Sequence, residues 1–431
     1  MRHLNPEDSG RIFRYITGLV FYAALQLGGS VSFAGGGPTD VSAVSPETRS
    51  HVRDLGIRIG QYEPGTWNAI TDVPGVKVGH VTLNQGSGNL EPGQGPVRTG
   101  VTVVMPRENV WNEKVPAGAF VLNGTGEMTG LAWVQESGFL EYPIALTNTL
   151  NVPHVSDGVM SWMIKHYPGI GITDDTLTPV IAECDDSRLN DSQGRHVTPE
   201  DVVMALETAT SGPVQEGSVG AGTGMVSYQF KGGIGTASRM LPKTLGAYHL
   251  GVLVNANHGR RNELTVSGVP IGHLYRKEIA ARPPSQEKAR EVVKGMGDNL
   301  FNKQDSGSII IIIATDAPLD ARQLQRLARR ATIGLARTGS ISHHGSGDFI
   351  LAFSTGNIIP HYPEQPTFSM THLADTHLNP LFQATVEATE EAILNALLQA
   401  TTVTGRDGRT FEAISIDTLQ AILRDYKLDL P

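Results

Sequence analysis

The sequence predicts a single layered α/β domain. Segments typical of strands and of helices alternate along the 431-residue chain without a composition break or an internal repeat. The clearest strand is residues 308–315, where five consecutive isoleucines follow a serine. β-Branched side chains favour extended backbone, and an unbroken apolar run indicates a strand buried on both faces. Residues 324–335 then carry apolar side chains at helical spacing.

Composition and charge limit the possible functions. Hydrophobic residues at 39% and charged residues at 18% are typical of a soluble globular protein. The net charge of −9, without any basic block, argues against nucleic acid as a partner. The single cysteine, Cys184, excludes an intrachain disulfide and a cysteine-based zinc site.

Residues 1–34 are predicted to be a signal peptide. Arg11 and Arg14 precede an apolar stretch at residues 16–27, and small residues suited to signal-peptidase cleavage end at Ala34. The apolar stretch is shorter than the ~20 residues that a membrane span needs. We therefore expect removal near Ala34, export to the periplasm or beyond, and no stable membrane association.

The folded domain is predicted over residues 52–431, after a flexible leader at 35–51 that is rich in Gly, Pro and Ser. Apolar alternation predicts the strands, and apolar recurrence at three- and four-residue steps predicts the helices. The predicted strands are residues 68–73, 76–81, 99–105, 118–122, 180–183, 250–257, 349–354 and 414–416, and the predicted helices are residues 156–167, 199–208, 324–335, 381–400 and 418–425. Residues 260–305 are polar and charged, which predicts an exposed excursion that returns to the isoleucine strand.

The sequence at the Gly307–Ser308 peptide bond can be interpreted in two ways. Ser308 could attack the carbonyl of Gly307, and water would then release a new chain that begins at Ser308. The freed α-amine has a reference pKa of about 7.7–8, so it could act as the general base for its own hydroxyl. In the simpler interpretation, which these two residues alone favour, Gly-Ser only turns the chain into a core strand.

Polar residues elsewhere could complete a site around Ser308. Ser346 and Asp348 lie on a loop that the intervening helix could return to the side of the strand, where they would orient the nucleophile and the amine. Asn257, at the end of another predicted strand, could donate a hydrogen bond to a developing oxyanion.

Three other interpretations remain open for the polar clusters. His343, His344 and Asp348 could bind a metal ion, although adjacent histidines rarely both face one ion. His344, Ser346 and Asp348 could form a hydrolase triad, although the Gly-x-Ser-x-Gly motif is absent from the sequence. Glu183 and Asp185, on either side of Cys184, could bind an ammonium group or could be ordinary charges at a strand end.

The glycine-rich turn at residues 123–130 does not predict nucleotide binding. It lacks the Lys-Ser/Thr ending of a phosphate-binding loop. A second glycine-rich segment, residues 217–224, predicts a close approach between its backbone and a neighbouring strand or a ligand.

An ordered set of motifs resembles the DmpA-type L-aminopeptidase/D-esterase and β-peptidyl aminopeptidase family. The motifs around the proposed nucleophile are Gly307-Ser308-Ile309-Ile310, Ala314-Thr315-Asp316-Ala317-Pro318, Gly334-Leu335-Ala336-Arg337-Thr338-Gly339 and Gly345-Ser346-Gly347-Asp348. Those before it are residues 68–80, Gly126-Glu127-Met128-Thr129-Gly130, Ala182-Glu183, residues 217–224 and Val254-Asn255-Ala256-Asn257. The resemblance covers nearly everything from Tyr62 to the C-terminus.

The resemblance implies a four-layer αββα sandwich, similar to N-terminal nucleophile hydrolases but with different connectivity. It also implies self-cleavage between Gly307 and Ser308, which would give an α chain of residues 52–307 and a β chain of residues 308–431. It further implies a homo-oligomer, commonly a tetramer of such α/β units, and neither a metal ion nor an organic cofactor.

The resemblance also implies roles for individual residues. Ser308 would be the nucleophile and general base, with Ser346 and Asp348 orienting it. Asn257 would contact the oxyanion, and Glu183 would hold the free amino group of the substrate.

Two departures from the family pattern affect the pocket. Asp185 occupies a position near the oxyanion site that is aromatic in other members, which puts substrate preference in question. His343 and His344 stand where Asn or Gly is frequent, and they would change the pocket charge below about pH 6.5.

The sequence therefore predicts a self-processing serine aminopeptidase that removes N-terminal L-α, D-α or β residues from short peptides, amides or esters. One alternative is an ornithine acetyltransferase-like acyltransferase, but such enzymes use threonine as the nucleophile and this chain has Ser308. Another is a non-catalytic periplasmic binding protein. The excursion before Ser308 is expected to narrow the entrance against folded proteins.

Overall fold

The strand that begins with Ser308 lies inside the larger of two main β-sheets. The structure is a computed structural model that describes residues 49–281 and 307–426. The predicted signal peptide, nearly all of the leader and residues 282–305 of the predicted excursion lie outside the described residues.

The larger sheet has seven strands. Its order is β13 (Ile359–Pro360), β3 (Glu113–Gly124), β12 (Gly347–Ser354), β11 (Ser308–Thr315), β10 (His249–Asn257) and β9 (Gly233–Met240), with β4 (Phe139–Leu140) also paired to β3. Strands β11 and β12 run parallel, and the other neighbours are antiparallel. Strand β11 therefore has a hydrogen-bonded neighbour along both edges.

The smaller sheet has four strands in the order β1 (Lys77–Gln85), β2 (Val97–Met105), β5 (Ile144–Thr147) and β6 (Val180–Glu183). Two short hairpins lie outside both sheets. They are β7 (Val226–Ser227) with β8 (Phe230–Lys231), and β14 (Val403–Thr404) with β15 (Thr410–Phe411).

The described α-helices are α1 (Leu131–Ser137), α2 (Val152–His166), α3 (Pro199–Glu207), α4 (Ile271–Ala281), α5 (Ala321–Arg337), α6 (Asn379–Leu398) and α7 (Ile416–Asp425). Side chains fix where several of them begin. Thr198 accepts a hydrogen bond from the Asp201 N–H at 3.3 Å, and Asp320 accepts one from the Gln323 N–H at 2.7 Å. These N-caps satisfy backbone donors that have no partner within the first turn of a helix. None of the described helices combines the length and the apolar character that a membrane span requires.

The layers follow from which faces of the sheets are covered. Helices α5 and α6 pack on the larger sheet, and α2 and α3 pack on the smaller one. The isoleucines of β11 alternate between two cores, because successive side chains of a strand point to opposite faces. Ile309, Ile311 and Ile313 belong to the core beneath α5 and α6, whereas Ile310 and Ile312 belong to the core between the sheets. The result is the predicted αββα sandwich.

Two predicted strands are wrong. Within residues 68–73 the chain forms a short 3-10 turn at Ile70–Asp72, because the Asp72 carboxylate accepts hydrogen bonds from the Trp67 and Ala69 N–H groups. Residues 414–416 do not form a strand, since Ser415 accepts a hydrogen bond from the Thr418 N–H and starts helix α7. Strand β9 and strand β5 were not predicted.

Candidate active site

Ser308 is the first residue of β11 and is buried at 6% exposure. Asn257 lies directly opposite on antiparallel β10, and Gly347 lies opposite on parallel β12. Because paired residues on neighbouring strands face the same side, Ser308 and Asn257 both face the space between the sheets. The register thus brings two of the predicted site residues together from segments about 50 positions apart in sequence.

Gly307 is closely packed against the neighbouring strand. A Cβ atom at this position would lie 2.7 Å from Asn257 O and 2.8 Å from the Cα of His258. Both are backbone atoms that cannot move aside without shifting β10, so the position requires glycine. The Gly307 carbonyl oxygen accepts a hydrogen bond from the Gly347 N–H at 3.2 Å. This bond polarises the carbonyl that a nucleophile at Ser308 would attack.

Ser346 and Asp348 form a hydrogen-bonded pair at the start of β12, the strand next to that of Ser308. The Ser346 hydroxyl donates to Asp348 Oδ1 at 2.6 Å, and both side chains are buried. Asn123, at the end of β3, donates from Nδ2 to Asp348 Oδ2 at 3.1 Å. Burial raises the pKa of Asp348, whereas these hydrogen bonds and nearby His343 oppose the rise.

Asn257 is fixed at both ends of its amide. Its Oδ1 accepts from the Val226 N–H at 2.8 Å, and its Nδ2 donates to the carbonyl oxygen of Asp185 at 2.9 Å. A primary amide carries two N–H groups, so one remains to donate to another acceptor. The amide is therefore oriented before any ligand arrives, which is what oxyanion stabilisation needs.

Glu183 ends strand β6 of the other sheet and is only 3% exposed. Its Oε1 accepts from the Glu127 N–H at 3.0 Å, and its Oε2 accepts from the Thr149 hydroxyl. Burial raises the pKa of Glu183, and these two neutral donors lower it in part. In the described part of the chain Glu183 has no cationic partner.

Gly126 connects Glu183 to the nucleophile strand. A Cβ atom there would lie 2.7 Å from Glu183 Oε1, 3.3 Å from the ring of Phe349 and 3.6 Å from the Cα of Gly347. Its φ of 154° is also one that favours glycine. The glycine-rich turn thus lies between Glu183 and Gly347, the β12 residue that pairs with Ser308.

Sequence reasoning missed Asn123, Thr149 and the backbone of Glu127 as parts of this site. The sequence pattern at residues 123–130 resembles a phosphate-binding loop loosely and contributes a family motif, but it does not indicate a contact with Glu183. Its glycines do allow a backbone N–H to contact an anion, but that anion is a carboxylate of the protein itself. The spacing of glycines predicts such a close approach without identifying the group approached.

Asp185 and the two histidines lie at the edge of the site. The Asp185 side chain is exposed, and its carboxylate accepts from the N–H and the hydroxyl of Ser187 at 2.8 and 3.0 Å. His343 Nε2 lies 2.8 Å from Glu263 Oε1, while His344 is exposed.

The alternative metal and triad interpretations find little support in this geometry. Within residues 49–281 and 307–426, no group of three or more His, Cys, Asp or Glu side chains is arranged to hold a metal ion. The Ser346 hydroxyl bonds directly to Asp348, so no histidine lies between them as a triad would require.

Comparison with known proteins identifies the family. Residues 68–411 match the family described as peptidase family S58. The chain belongs to this family. β-Peptidyl aminopeptidase BapA of Sphingosinicella microcystinivorans is 43% identical over 376 residues, which cover 87% of this chain and 92% of that relative.

Two solved structures show the same fold. A β-aminopeptidase of Burkholderia sp. has a TM-score of 0.77 at 42% identity and covers 88% of this chain and 99% of its own. The L-aminopeptidase D-Ala-esterase/amidase of Ochrobactrum anthropi has a TM-score of 0.76 at 39% identity, with coverages of 87% and 98%. The latter is described as a prototype of the serine aminopeptidases with a variant of the N-terminal nucleophile hydrolase fold.

These comparisons confirm the predicted family, the predicted fold and the predicted aminopeptidase function. The protein is a hydrolase of peptide bonds. The acyltransferase and binding-protein alternatives are not favoured.

Proposed function

We propose that this S58 peptidase cuts itself between Gly307 and Ser308 and then uses Ser308 as an N-terminal nucleophile. The observation that carries the proposal is the position of Ser308. It begins a central strand, follows a glycine that cannot be replaced without a backbone clash, and faces Asn257, while the Ser346–Asp348 pair lies at the start of the neighbouring strand β12.

Self-cleavage would proceed in two steps. The Ser308 hydroxyl oxygen attacks the carbonyl carbon of Gly307, the C–N bond breaks, and the nitrogen leaves as the Ser308 amine after receiving the hydroxyl proton. Water then hydrolyses the ester. The products are a carboxylate on Gly307 and a free amine on Ser308. The hydrogen bond from the Gly347 N–H supports the first step, because it stabilises negative charge on the carbonyl oxygen.

Glu183 is proposed to bind the substrate's N-terminal ammonium group. It is a buried carboxylate oriented by two neutral donors, and an incoming cation would supply the opposite charge that it lacks among the described residues. A free N-terminus would then be recognised by charge, and an internal peptide segment would not be. This selection is what distinguishes an aminopeptidase from an endopeptidase.

In turnover, Ser308 would supply both nucleophile and base. Its amine, with a reference pKa of about 7.7–8, accepts the hydroxyl proton as the oxygen attacks the substrate carbonyl. The unused N–H of Asn257 would stabilise the oxyanion. Ser346 and Asp348 would orient the amine and balance its charge when it is protonated.

The substrate class is inferred from the relatives. One relative is named for β-peptides, and another for L-residues and for D-alanine esters and amides. We infer that this enzyme removes a small N-terminal residue from short peptides, amides or esters. Rates on the p-nitroanilides of β-alanine, L-alanine and D-alanine would rank the three residue types.

Export and assembly also belong to the proposal. Removal of residues 1–34 and release to the periplasm would be checked by N-terminal sequencing of protein from fractionated cells, where a first residue before Ala34 would contradict it. A homo-oligomer of α/β units would be checked by light scattering, where a single α/β unit would contradict it.

The deciding experiment compares intact mass and aminopeptidase activity in wild type, Ser308→Ala and Ser354→Ala. The last variant removes a buried hydroxyl at the far end of β12, which donates to the Ala317 carbonyl oxygen, and serves as the control. We expect two fragments and activity in the wild type and the control, and one inactive chain for Ser308→Ala. An active wild type with Gly307 still joined to Ser308 would overturn the proposal.

A further inference from the structure

His258 is a buried histidine that the proposed mechanism does not use. It follows Asn257 and is only 3% exposed. Neither ring nitrogen has a hydrogen-bond partner within the described residues. Burial lowers the pKa of His258 to about 3, so the ring is neutral at physiological pH. An unsatisfied buried imidazole is costly, so the structure needs a reason for it.

The strand register places His258 opposite the bond to be cut. Asn257 pairs with Ser308 across the antiparallel β10–β11 ladder, so His258 stands opposite Gly307. The Cβ direction of Gly307 runs within 2.8 Å of the His258 Cα and 3.4 Å of its Cβ. Tyr228, whose ring centroid is 5.1 Å from that of His258, belongs to the core beneath α5 and α6. The imidazole therefore lies on the sheet face opposite the Ser308 hydroxyl.

Self-cleavage would place two new charged groups, an amine and a carboxylate, next to each other. The cut produces an amine on Ser308 and a carboxylate on Gly307 where one peptide bond had been. If the two groups stayed together as an ion pair, the carboxylate would raise the pKa of the amine. A protonated amine cannot act as the general base, so the newly made enzyme would be inhibited by its own cleavage product.

We propose that His258 binds the new C-terminal carboxylate of Gly307 and so holds it away from the Ser308 amine. This role rests on the proposed self-cleavage. Without a side chain, Gly307 can rotate about its N–Cα bond once the chain is cut, which moves the whole carboxylate, and it already lies against His258. The carboxylate supplies the acceptor that the imidazole lacks in the uncut chain. The imidazole in turn takes up a proton, because a neighbouring anion favours its charged form. His258 is thus a positioning residue.

Few other titratable groups could supply this interaction. Tyr228 is the titratable neighbour on the β7–β8 turn; its hydroxyl is hydrogen-bonded to that of Thr338, and burial raises its pKa above the range of interest. The negative charge of Glu263 also raises the pKa of Tyr228. The Glu263 carboxylate itself is engaged, because it is hydrogen-bonded to the His343 ring and accepts from the Arg260 N–H. For His258 itself, burial is the identified cause of the lowered pKa.

The first test is an NMR titration of the histidine rings in uncut Ser308→Ala and in processed wild type. We expect His258 to stay neutral down to about pH 4 in the uncut protein, and to titrate above about pH 6 in the processed enzyme. The control is His80, which is hydrogen-bonded to Thr102. Burial lowers the pKa of His80 to about 4, and its titration should be the same in both proteins. The same titration of His258 in both forms would overturn the role.

The second test is the pH dependence of kcat/KM for His258→Phe and His258→Gln. Phe preserves packing against Tyr228, and Gln keeps a hydrogen-bond donor without the charge. We expect both variants to cut themselves. For His258→Phe the acid limb of kcat/KM should move to higher pH by about one unit. The value of kcat/KM would then be about tenfold lower than in the wild type near pH 6 and nearly equal to it near pH 9. A smaller shift is expected for His258→Gln.

The outcomes separate the two proposals. A wild type that remains one chain refutes the proposed self-cleavage. A wild type that cuts itself, with acid limbs that coincide in all three proteins, refutes only the role of His258. If His258→Phe does not fold, the titration and the His258→Gln profile still decide.

Discussion

Two buried clusters of charged side chains lie against the larger sheet, and they differ in whether their carboxylates have cationic partners. Beneath α6, Arg239 donates to Glu387 at 3.1 Å and to Glu391 at 2.7 Å, and all three side chains are almost fully buried. Arg53 adds a second cation to Glu391 at 2.7 Å. Each carboxylate in this cluster has a guanidinium partner.

At the Ser308 end of the larger sheet, the site carboxylates are held by neutral groups. Glu183 accepts from a backbone N–H and from Thr149, and Asp348 accepts from Ser346 and Asn123. Burial raises the pKa of both. The comparison shows how buried charge can serve two purposes. A neutralised cluster fixes the packing of a helix on a sheet, whereas a carboxylate without a cation is prepared to bind one that comes from outside.

The largest effect is expected from Arg239→Met. It leaves two buried carboxylates without their main cation, which should lower the free energy of unfolding by about 3–5 kcal/mol. Denaturant unfolding measures the loss. Arg322→Met, which breaks an exposed ion pair with Asp375, is the control and should leave the transition nearly unchanged. Equal stability of Arg239→Met and wild type would contradict the structural role of the first cluster.

Glu183→Gln should lower activity and leave stability intact, the opposite of what is expected for a structural ion pair. Loss of the anion that binds the substrate ammonium should lower kcat/KM roughly 100-fold, or about 3 kcal/mol, while the free energy of unfolding does not fall. Glu127→Gln is the control, because Glu127 contributes its backbone N–H and its own side chain is exposed. A stability loss equal to that of Arg239→Met would make Glu183 a structural residue.

The pH dependence should sharpen the contrast further. Burial raises the pKa of Glu183 above the ordinary value of 4.5, and the mechanism needs the ionised form. Activity should therefore be full at higher pH and fall as the pH drops through this raised value, about tenfold per pH unit. The measurement is kcat/KM from pH 4 to 8. If the acid limb of kcat/KM is the same in Glu183→Gln and wild type, the limb reports only the Ser308 amine. The prediction that Glu183 contributes to it would then be wrong.

The smallest effect is expected from Asp185→Asn. The exposed Asp185 carboxylate raises the pKa of Glu183 through its negative charge. Removing that charge should move the acid limb to lower pH by a fraction of a unit, because exposed charges are screened. It should also weaken binding of substrates with a second positive charge by a few-fold. Steady-state kinetics on lysyl and alanyl amides would detect it, and an unchanged ratio of the two would contradict it.

Much of the fold was predictable because its signals are local. The isoleucine run of β11 and the apolar recurrence of α5 specify a buried strand and an amphipathic helix directly. The turn at Ile70–Asp72 was not predicted, because a single capping carboxylate outweighed a pattern typical of a strand. Strand β9 contains small and polar residues, Gly233 and Arg239 among them, whose environment is set by helix α6 rather than by periodicity.

The site was predictable only as far as the family motifs extend. They brought Ser308, Asn257, Ser346, Asp348 and Glu183 into one hypothesis; the structure pairs Ser308 with Asn257 and hydrogen-bonds Ser346 to Asp348. Their chemical roles remain predictions. The supporting contacts from Asn123 and Thr149 join segments far apart in sequence, and no spacing rule indicates such contacts.

The place of β11 inside its sheet has a consequence for how two copies of the protein relate. It is bonded to β10 on one edge and to β12 on the other over its whole length. A break ahead of its first residue would remove covalent continuity while every pairing from Ser308 to Thr315 stays in place. Each molecule would keep the piece with which it was synthesised, so mixing two differently labelled preparations should yield no hybrids until the sheet itself is unfolded.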